Sequence, residues 1–167
     1  MINAHPAFDP ETDLVLNRVI RAPRSVVWRA WTDPERLERW WIPAPTLLRI
    51  DRLEPVAGGA LVSRMSENGI DFVPHLDAVF LAAEPEQRLV YTNALDSSWR
   101  PAQSFPVPMT AHISFLEHAA GTEYRVLVRH GSAADREQHE QLGFFDGWGT
   151  VTEALAELAE SEAASGA

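Results

Sequence analysis

The residues in this sequence with the types and spacing for chemistry are mostly histidines. His75 and Asp77 stand two apart in a strand-like stretch, where alternation puts both on one face. An imidazole beside a carboxylate can take up and return a proton, so such a pair could enolise or cyclise a bound ketone. Asp135 precedes His139 by four residues in a helical stretch, a spacing that lets a carboxylate orient the ring. His130 falls on the dry side of a strand that alternates Tyr124, Val126, Val128, His130 with Glu123, Arg125 and Arg129. Each has a plainer reading. His75 and Asp77 also suit a solvated edge, and His139 suits a cap or a loop tether. Zinc needs three or four ligands, and His75, His112, His130 and His139 are scattered, so no metal is expected. No Ser-His-Asp spacing, nucleotide loop or paired-carboxylate motif is present.

Aromatic residues form the second set. Trp40 and Trp41 lie between a short helix and two prolines; at least one is expected to plug the core. Phe72, Tyr91, Trp99, Phe145 and Trp148 could line a pocket, although aromatics at strand and helix spacing also serve as plain core.

The elements that must position these residues are legible from periodicity. Ser132–Glu160 reads as one long helix, with a capping-box start at Ser132 and Asp135. Leu142, Phe145, Trp148, Val151, Leu155 and Leu158 supply its apolar stripe, and Glu153, Glu157 and Glu160 its wet side. Gly143, Gly147 and Gly149 interrupt it, each costing about 1 kcal/mol against alanine. Their expected use is close packing of strand on helix, with room for a bound molecule as the alternative.

Ahead of that helix, Leu14–Arg21 predicts a strand, and Pro23 starts a helix with Val26, Val27, Ala30 and Trp31 on one face. Asp33-Pro34 opens a second short helix. Strands follow at Thr46–Leu53, Ala60–Ser66, Ile70–Ala83, Arg88–Asn93, Met109–Glu117 and Thr122–His130, joined by short hairpins such as Asn68-Gly69. Ala94–Pro108 breaks the rhythm and reads as a binding loop, a lid or a packed Ω-loop. The sum is an α+β domain over residues 12–161, with flexible segments at 1–11 and 162–167. In it a curved seven-stranded antiparallel sheet wraps a long C-terminal helix. One helix stripe cannot fill such a sheet, so a cavity is expected between the two.

Composition narrows the function classes. The chain has 167 residues, no cysteine and a formal charge of −10, and its 14 basic residues are all arginine. No thiolate nucleophile, thiolate metal site or Schiff-base lysine is available. The acidic balance, without a basic cluster, argues against nucleic acid or an anionic membrane as partner. No apolar run approaches the roughly 20 residues that span a bilayer, so no membrane insertion is expected. A cysteine-free chain without a secretory signal fits the cytoplasm.

A resemblance adds to this reading. Arg21-Ala22-Pro23, Val27-Trp28-Arg29-Ala30-Trp31-Thr32-Asp33-Pro34 and Trp40-Trp41 together resemble the opening of the activator-of-heat-shock-protein-90-ATPase-like group. That group lies in the START/birch-pollen-allergen-like (SRPBCC) superfamily. Gly58-Gly59, Glu86–Thr92, Gly121-Thr122, Asp135–Glu140, Gly143-Phe144 and Gly147-Trp148 extend the likeness over roughly residues 14–160. It implies a helix-grip fold with a hydrophobic pocket under the last helix. No single reaction follows, because members include lipid carriers, receptors, cyclases and co-chaperone domains.

The leading expectation is a binding protein for a small hydrophobic or aromatic molecule, working without a cofactor. Its cavity candidates are Trp40, Trp41, Phe72, His75, Tyr91, Trp99, His130, Phe145 and Trp148. A cyclase-like or hydrolase-like enzyme with an acid–base histidine is the alternative from another class. A module acting on a chaperone ATPase is the third, and a homodimer is compatible with all three.

Overall fold

The apolar pattern organises the chain as the spacing implies. The computed structural model describes residues 6–166. Strand β1 (Asp13–Ile20) leads into helices α1 (Arg24–Thr32) and α2 (Pro34–Leu37). Strands β2 (Leu47–Leu53), β3 (Ala60–Ser66), β4 (Val73–Glu84), β5 (Arg88–Thr92), β6 (Met109–His118) and β7 (Gly121–His130) follow, and helices α3 (Ala133–Gln141) and α4 (Phe144–Ser165) close the chain. The seven strands form one antiparallel sheet in the order β1-β7-β6-β5-β4-β3-β2. Only β1 leaves its sequence neighbour, crossing by way of α1 and α2 to the far edge. Residues 1–5 of the flexible leader expected at 1–11 lie outside the described residues, as does residue 167 of the tail.

One face of the sheet carries the core. Leu14 and Ile20, Leu61, Ala78 and Phe80, Leu89 and Tyr91, Ile113 and Phe115, and Tyr124, Val126 and Val128 all turn inward and are buried. Val27, Ala30 and Trp31 of α1 and Leu155, Ala156 and Ala159 of α4 meet them there. Local chemistry fixes the starts of the helices. The Asp33 side chain accepts from the backbone of Glu35 and Arg36 at the start of α2, where Pro34 costs no hydrogen bond. Ser132 accepts from Asp135 N at the start of α3.

The expected single helix is two. Gly143 adopts φ 96°, a left-handed conformation that interrupts the backbone between α3 and α4 and favours glycine. The expected stripe also drifts off the buried face. A step of three residues falls about 60° short of a full turn, so three such steps in a row rotate the stripe by half a circle. Leu142 and Phe145 are accordingly 61% and 46% exposed, while Phe144, Val151, Leu155 and Leu158 are buried. The wet-side glutamates fasten the helix from outside. Arg18 Nε donates to Glu153 at 2.7 Å, Arg21 N donates to Glu160 at 3.0 Å, and Glu157 is exposed.

Two glycines are needed by the backbone itself. At Gly59 an added Cβ would lie 2.0 Å from the Glu54 carbonyl oxygen. At Gly121 (φ 145°) it would lie 2.4 Å from Ile20 O and 2.7 Å from Ala22 N. The hairpin into β7 therefore presses directly on the end of β1, and Thr122 Oγ1 donates to Ala22 O beside it at 2.7 Å. Gly121→Ala should cost at least 2–3 kcal/mol, read as a lowered urea midpoint with an unchanged slope.

Candidate functional site

A cavity of about 290 Å3 opens between the concave face of the sheet and the helices α3 and α4. Its walls come from the α2–β2 connection (Trp41, Ile42, Pro43), from β4 (His75, Leu76), from Tyr91 of β5 and from Met109 of β6. His139, Leu142, Gly143, Phe144, Gly147, Trp148 and Val151 close the helical side, with Phe105 and Pro106 of the long loop at the rim. Phe105 is 86% exposed, so this rim residue has its apolar surface in water.

A β-bulge brings His75 in. Leu76 pairs with Ser63 and Pro74 with Arg64, leaving His75 as the extra residue on β4. Both His75 and Leu76 consequently face the cavity, and Asp77 does not share the His75 face as simple alternation predicts. Asp77 is exposed and accepts from Ser97 N at 2.7 Å, while His75 Nδ1 is hydrogen-bonded to Ser63 Oγ at 2.8 Å. The acid–base pairing of the two is not formed, and Asp77 is the solvated edge residue of the plainer reading. Trp41 stands edge-on to His75 and to Tyr91, with ring centroids 5.8 and 6.2 Å apart. Burial lowers the His75 pKa and raises that of Tyr91, so both are neutral in the folded protein near pH 7.

His139 serves as a tether, the plainer of its two expected uses. Its Nδ1 bonds to His130 Nε2 at 2.8 Å rather than to Asp135, and His130 Nδ1 lies 2.8 Å from Thr12 O. His130 of β7 thus links α3 on one side to the residue just before β1 on the other, and the His139 ring lies edge-on against Phe144. Burial, reinforced by the neighbouring His130, lowers the His139 pKa to about 4. Among the described residues, no group of three or more His, Cys, Asp or Glu could hold a metal ion.

Of the aromatic and histidine candidates, Trp41, His75, Tyr91 and Trp148 line the cavity. The other five do not. Trp40 is core: it is 1% exposed, and its Nε1 donates to Ala30 O at 2.9 Å. Phe72 lies on the surface under the guanidinium of Arg49, 4.4 Å from its ring centre. Trp99 is 64% exposed, donates from Nε1 to Gly58 O and rests on that glycine, anchoring the first half of the 94–108 loop away from the cavity. His130 sits one ring behind His139. Phe145 points off the stripe for the phase reason given above, and Phe144 takes its place. His139, Phe144, Met109 and Val151 were missing from the candidate set. Of these, Val151 was legible as a member of the helical stripe and His139 only through its spacing from Asp135, whereas Met109 carried no signal.

The interrupting glycines lack their expected use. A Cβ on Gly143, Gly147 or Gly149 would meet nothing within 4 Å, so no strand packs against them. Gly143 is explained by its dihedral angle and Gly147 by the cavity it borders; nothing in the structure explains Gly149.

The buried histidines predict a stability profile. His112, on the outer face, is held at about 4 by burial and by the charges of Arg129 and Arg88. Unfolded imidazoles titrate near 6.5. Between pH 6.5 and 4 the unfolded chain therefore binds protons that folded His75, His112 and His139 do not, and stability falls as pH falls. From pH 8 to pH 5 the two most shifted groups should each remove roughly 1–2 kcal/mol. The salt-bridged Asp51 and Glu153, whose pKa values are lowered, lose their contribution as pH falls through the usual carboxylate range and below it. Thermal melts at pH 8, 6.5 and 5 check this, and His112→Gln should flatten the curve.

Comparison with known proteins agrees with the geometry. Residues 21–160 match the family described as Activator of Hsp90 ATPase homolog 1-like protein. A crystal structure of a protein from Nitrosomonas europaea is 34% identical, with a TM-score of 0.84, and the match covers 94% of this chain and 99% of that one. An Arthrobacter aurescens protein shares the fold at 18% identity and TM-score 0.76, over 90% of this chain and 87% of its own. An Aeromonas hydrophila protein titled AHSA1-like does so at 18% identity and TM-score 0.65, over 90% and 93%. No curated protein matches the chain. A strand–helix–helix opening, a seven-stranded grip around α4 and a family match over most of its length together place this chain in the Activator of Hsp90 ATPase homolog 1-like family.

Proposed function

We propose that this protein binds a small hydrophobic or aromatic molecule in the cavity between the sheet and α3–α4. The observation that carries the reading is the lining, in which Trp41, Tyr91, Phe144 and Trp148 surround a cavity that Gly147 borders. Ligand pockets range over roughly 300–1,000 Å3, so a cavity of about 290 Å3 suits a small molecule of one or two rings rather than a long-chain lipid. Affinity would come from apolar burial at about 25 cal/mol per Å2, with the two lining histidines setting orientation.

Native mass spectrometry and thermal shift with a panel of aromatics, fatty acids and polyketide-like compounds test the reading. A ligand present at a hundred times its Kd should stabilise the fold by about 2.7 kcal/mol, well above the noise of a melt. A panel with no bound species and no shift would remove the proposal. The neutral imidazoles of His75 and His139 support a second reading, an enzyme doing proton transfer on the bound molecule. Turnover of a bound ketone that His139→Phe abolishes would establish it.

A further inference from the structure

The hydrogen bonds behind the cavity fix the polarity of one nitrogen inside it. A backbone carbonyl only accepts, so His130 Nδ1, 2.8 Å from Thr12 O, must carry the hydrogen. In a neutral ring, Nε2 of His130 is then a lone pair. That lone pair lies 2.8 Å from His139 Nδ1, which must in turn be the donor. The neutral His139 is left with an unprotonated Nε2. Both rings are buried, at 9% and 7% exposure, which opposes the charged alternatives. Among the described residues nothing bonds to His139 Nε2, and His139 lines the cavity. No such chain fixes His75, whose partner Ser63 can donate or accept.

We propose that His139 Nε2 is the cavity's polar anchor and accepts a hydrogen bond from the ligand, which makes the ligand class neutral hydroxylated aromatics of the phenol or naphthol type. The proposal rests on the reading above that the cavity takes a small aromatic molecule, and it adds which polar group that molecule carries. The free acceptor is open to water, and a ligand that displaces that water must replace its hydrogen bond with an O–H of its own. An ether, ketone or carboxylate at the same point would set lone pair against lone pair. His130 is a positioning residue: it touches no ligand and holds the tautomer of the ring that does.

Titrations at pH 8 with 2-naphthol and with 2-methoxynaphthalene separate the two claims. The wild-type protein should bind the naphthol about tenfold more tightly than the ether, and His139→Phe should bring that ratio close to one. Equal binding of the two by the wild type overturns the anchor while leaving the apolar reading standing. Binding of neither overturns both. Long-range proton–nitrogen NMR of the wild-type protein needs no ligand and no variant. It should show His139 protonated on Nδ1, and the Nε2–H form would sink the proposal. In His130→Phe the His139 tautomers should become mixed, and a pure Nδ1–H form there would remove His130 from the chain.

Discussion

Trp31→Ala should cost this fold about 4 kcal/mol, the upper part of the range for emptying a buried aromatic site. Trp31 is fully buried, and its ring stands against three others: Trp40 at 5.0 Å, Trp41 at 5.4 Å and Tyr91 at 6.1 Å between centroids. Its Nε1 donates to Tyr124 Oη at 3.0 Å, a bond from α1 to β7 across the middle of the core. Truncation leaves a hole no neighbour can fill without moving and strips the Tyr124 hydroxyl of its donor. At about 2–4 °C per kcal/mol for a chain of this size, the melting temperature should fall by roughly 8–16 °C. Trp31→Phe keeps most of the volume and loses the hydrogen bond, so it should cost about 2 kcal/mol. A double-mutant cycle with Tyr124→Phe then isolates the bond, expected at about 1 kcal/mol. A loss below 1 kcal/mol for Trp31→Ala would show that the aromatic cluster is not what joins α1 to the sheet. Because Trp41 and Tyr91 both touch Trp31 and line the cavity, the variant should also loosen the pocket wall.

The division between what the sequence revealed and what it hid has physical causes. Strands announced themselves through alternation, and the Asp33-Pro34 and Ser132 caps through side chains that bond their own backbone. Such signals are local. The cavity wall depends on departures from local regularity, which residue types do not encode. One bulged residue turned His75 inward and separated it from Asp77. One left-handed glycine split the last helix, and the phase of the second half put Phe144 where Phe145 was expected. The partner of His139 was invisible for another reason. His130 lies nine residues away across a strand-to-helix turn, and nothing in periodicity distinguishes it from Asp135 four residues away. Phe72 and Trp99 misled because aromatic rings also serve at surfaces, one under guanidinium groups and the other clamped on Gly58.

Gly147→Leu should separate stability from binding. A helix-interior glycine costs about 1 kcal/mol, and at Gly147, unlike Gly149, the structure offers a gain to set against it. Packing is not that gain, because a Cβ at Gly147 meets nothing within 4 Å. Gly147 is exposed where it borders a cavity of about 290 Å3, so an isobutyl group there would narrow the mouth of that cavity. The variant should therefore melt higher, by an amount equivalent to about 0.5–1 kcal/mol, while a ring-sized ligand of the wild-type protein binds about tenfold more weakly. Gly147→Ala should give most of the stabilisation with a smaller loss of affinity, because one methyl group takes much less of the volume. Gly149→Ala is the matched control. It repairs the same kind of helix defect at a residue that does not line the cavity, so it should stabilise the fold and leave binding unchanged. If Gly147→Leu stabilised the protein and bound ligand as well as the wild type, the open space beside α4 would have no part in binding. If the variant were instead destabilised, the space would be needed by the fold itself, through a rearrangement of Trp148 or Leu142 that the leucine blocks. Measured affinity and melting temperature in the same three variants decide between these outcomes.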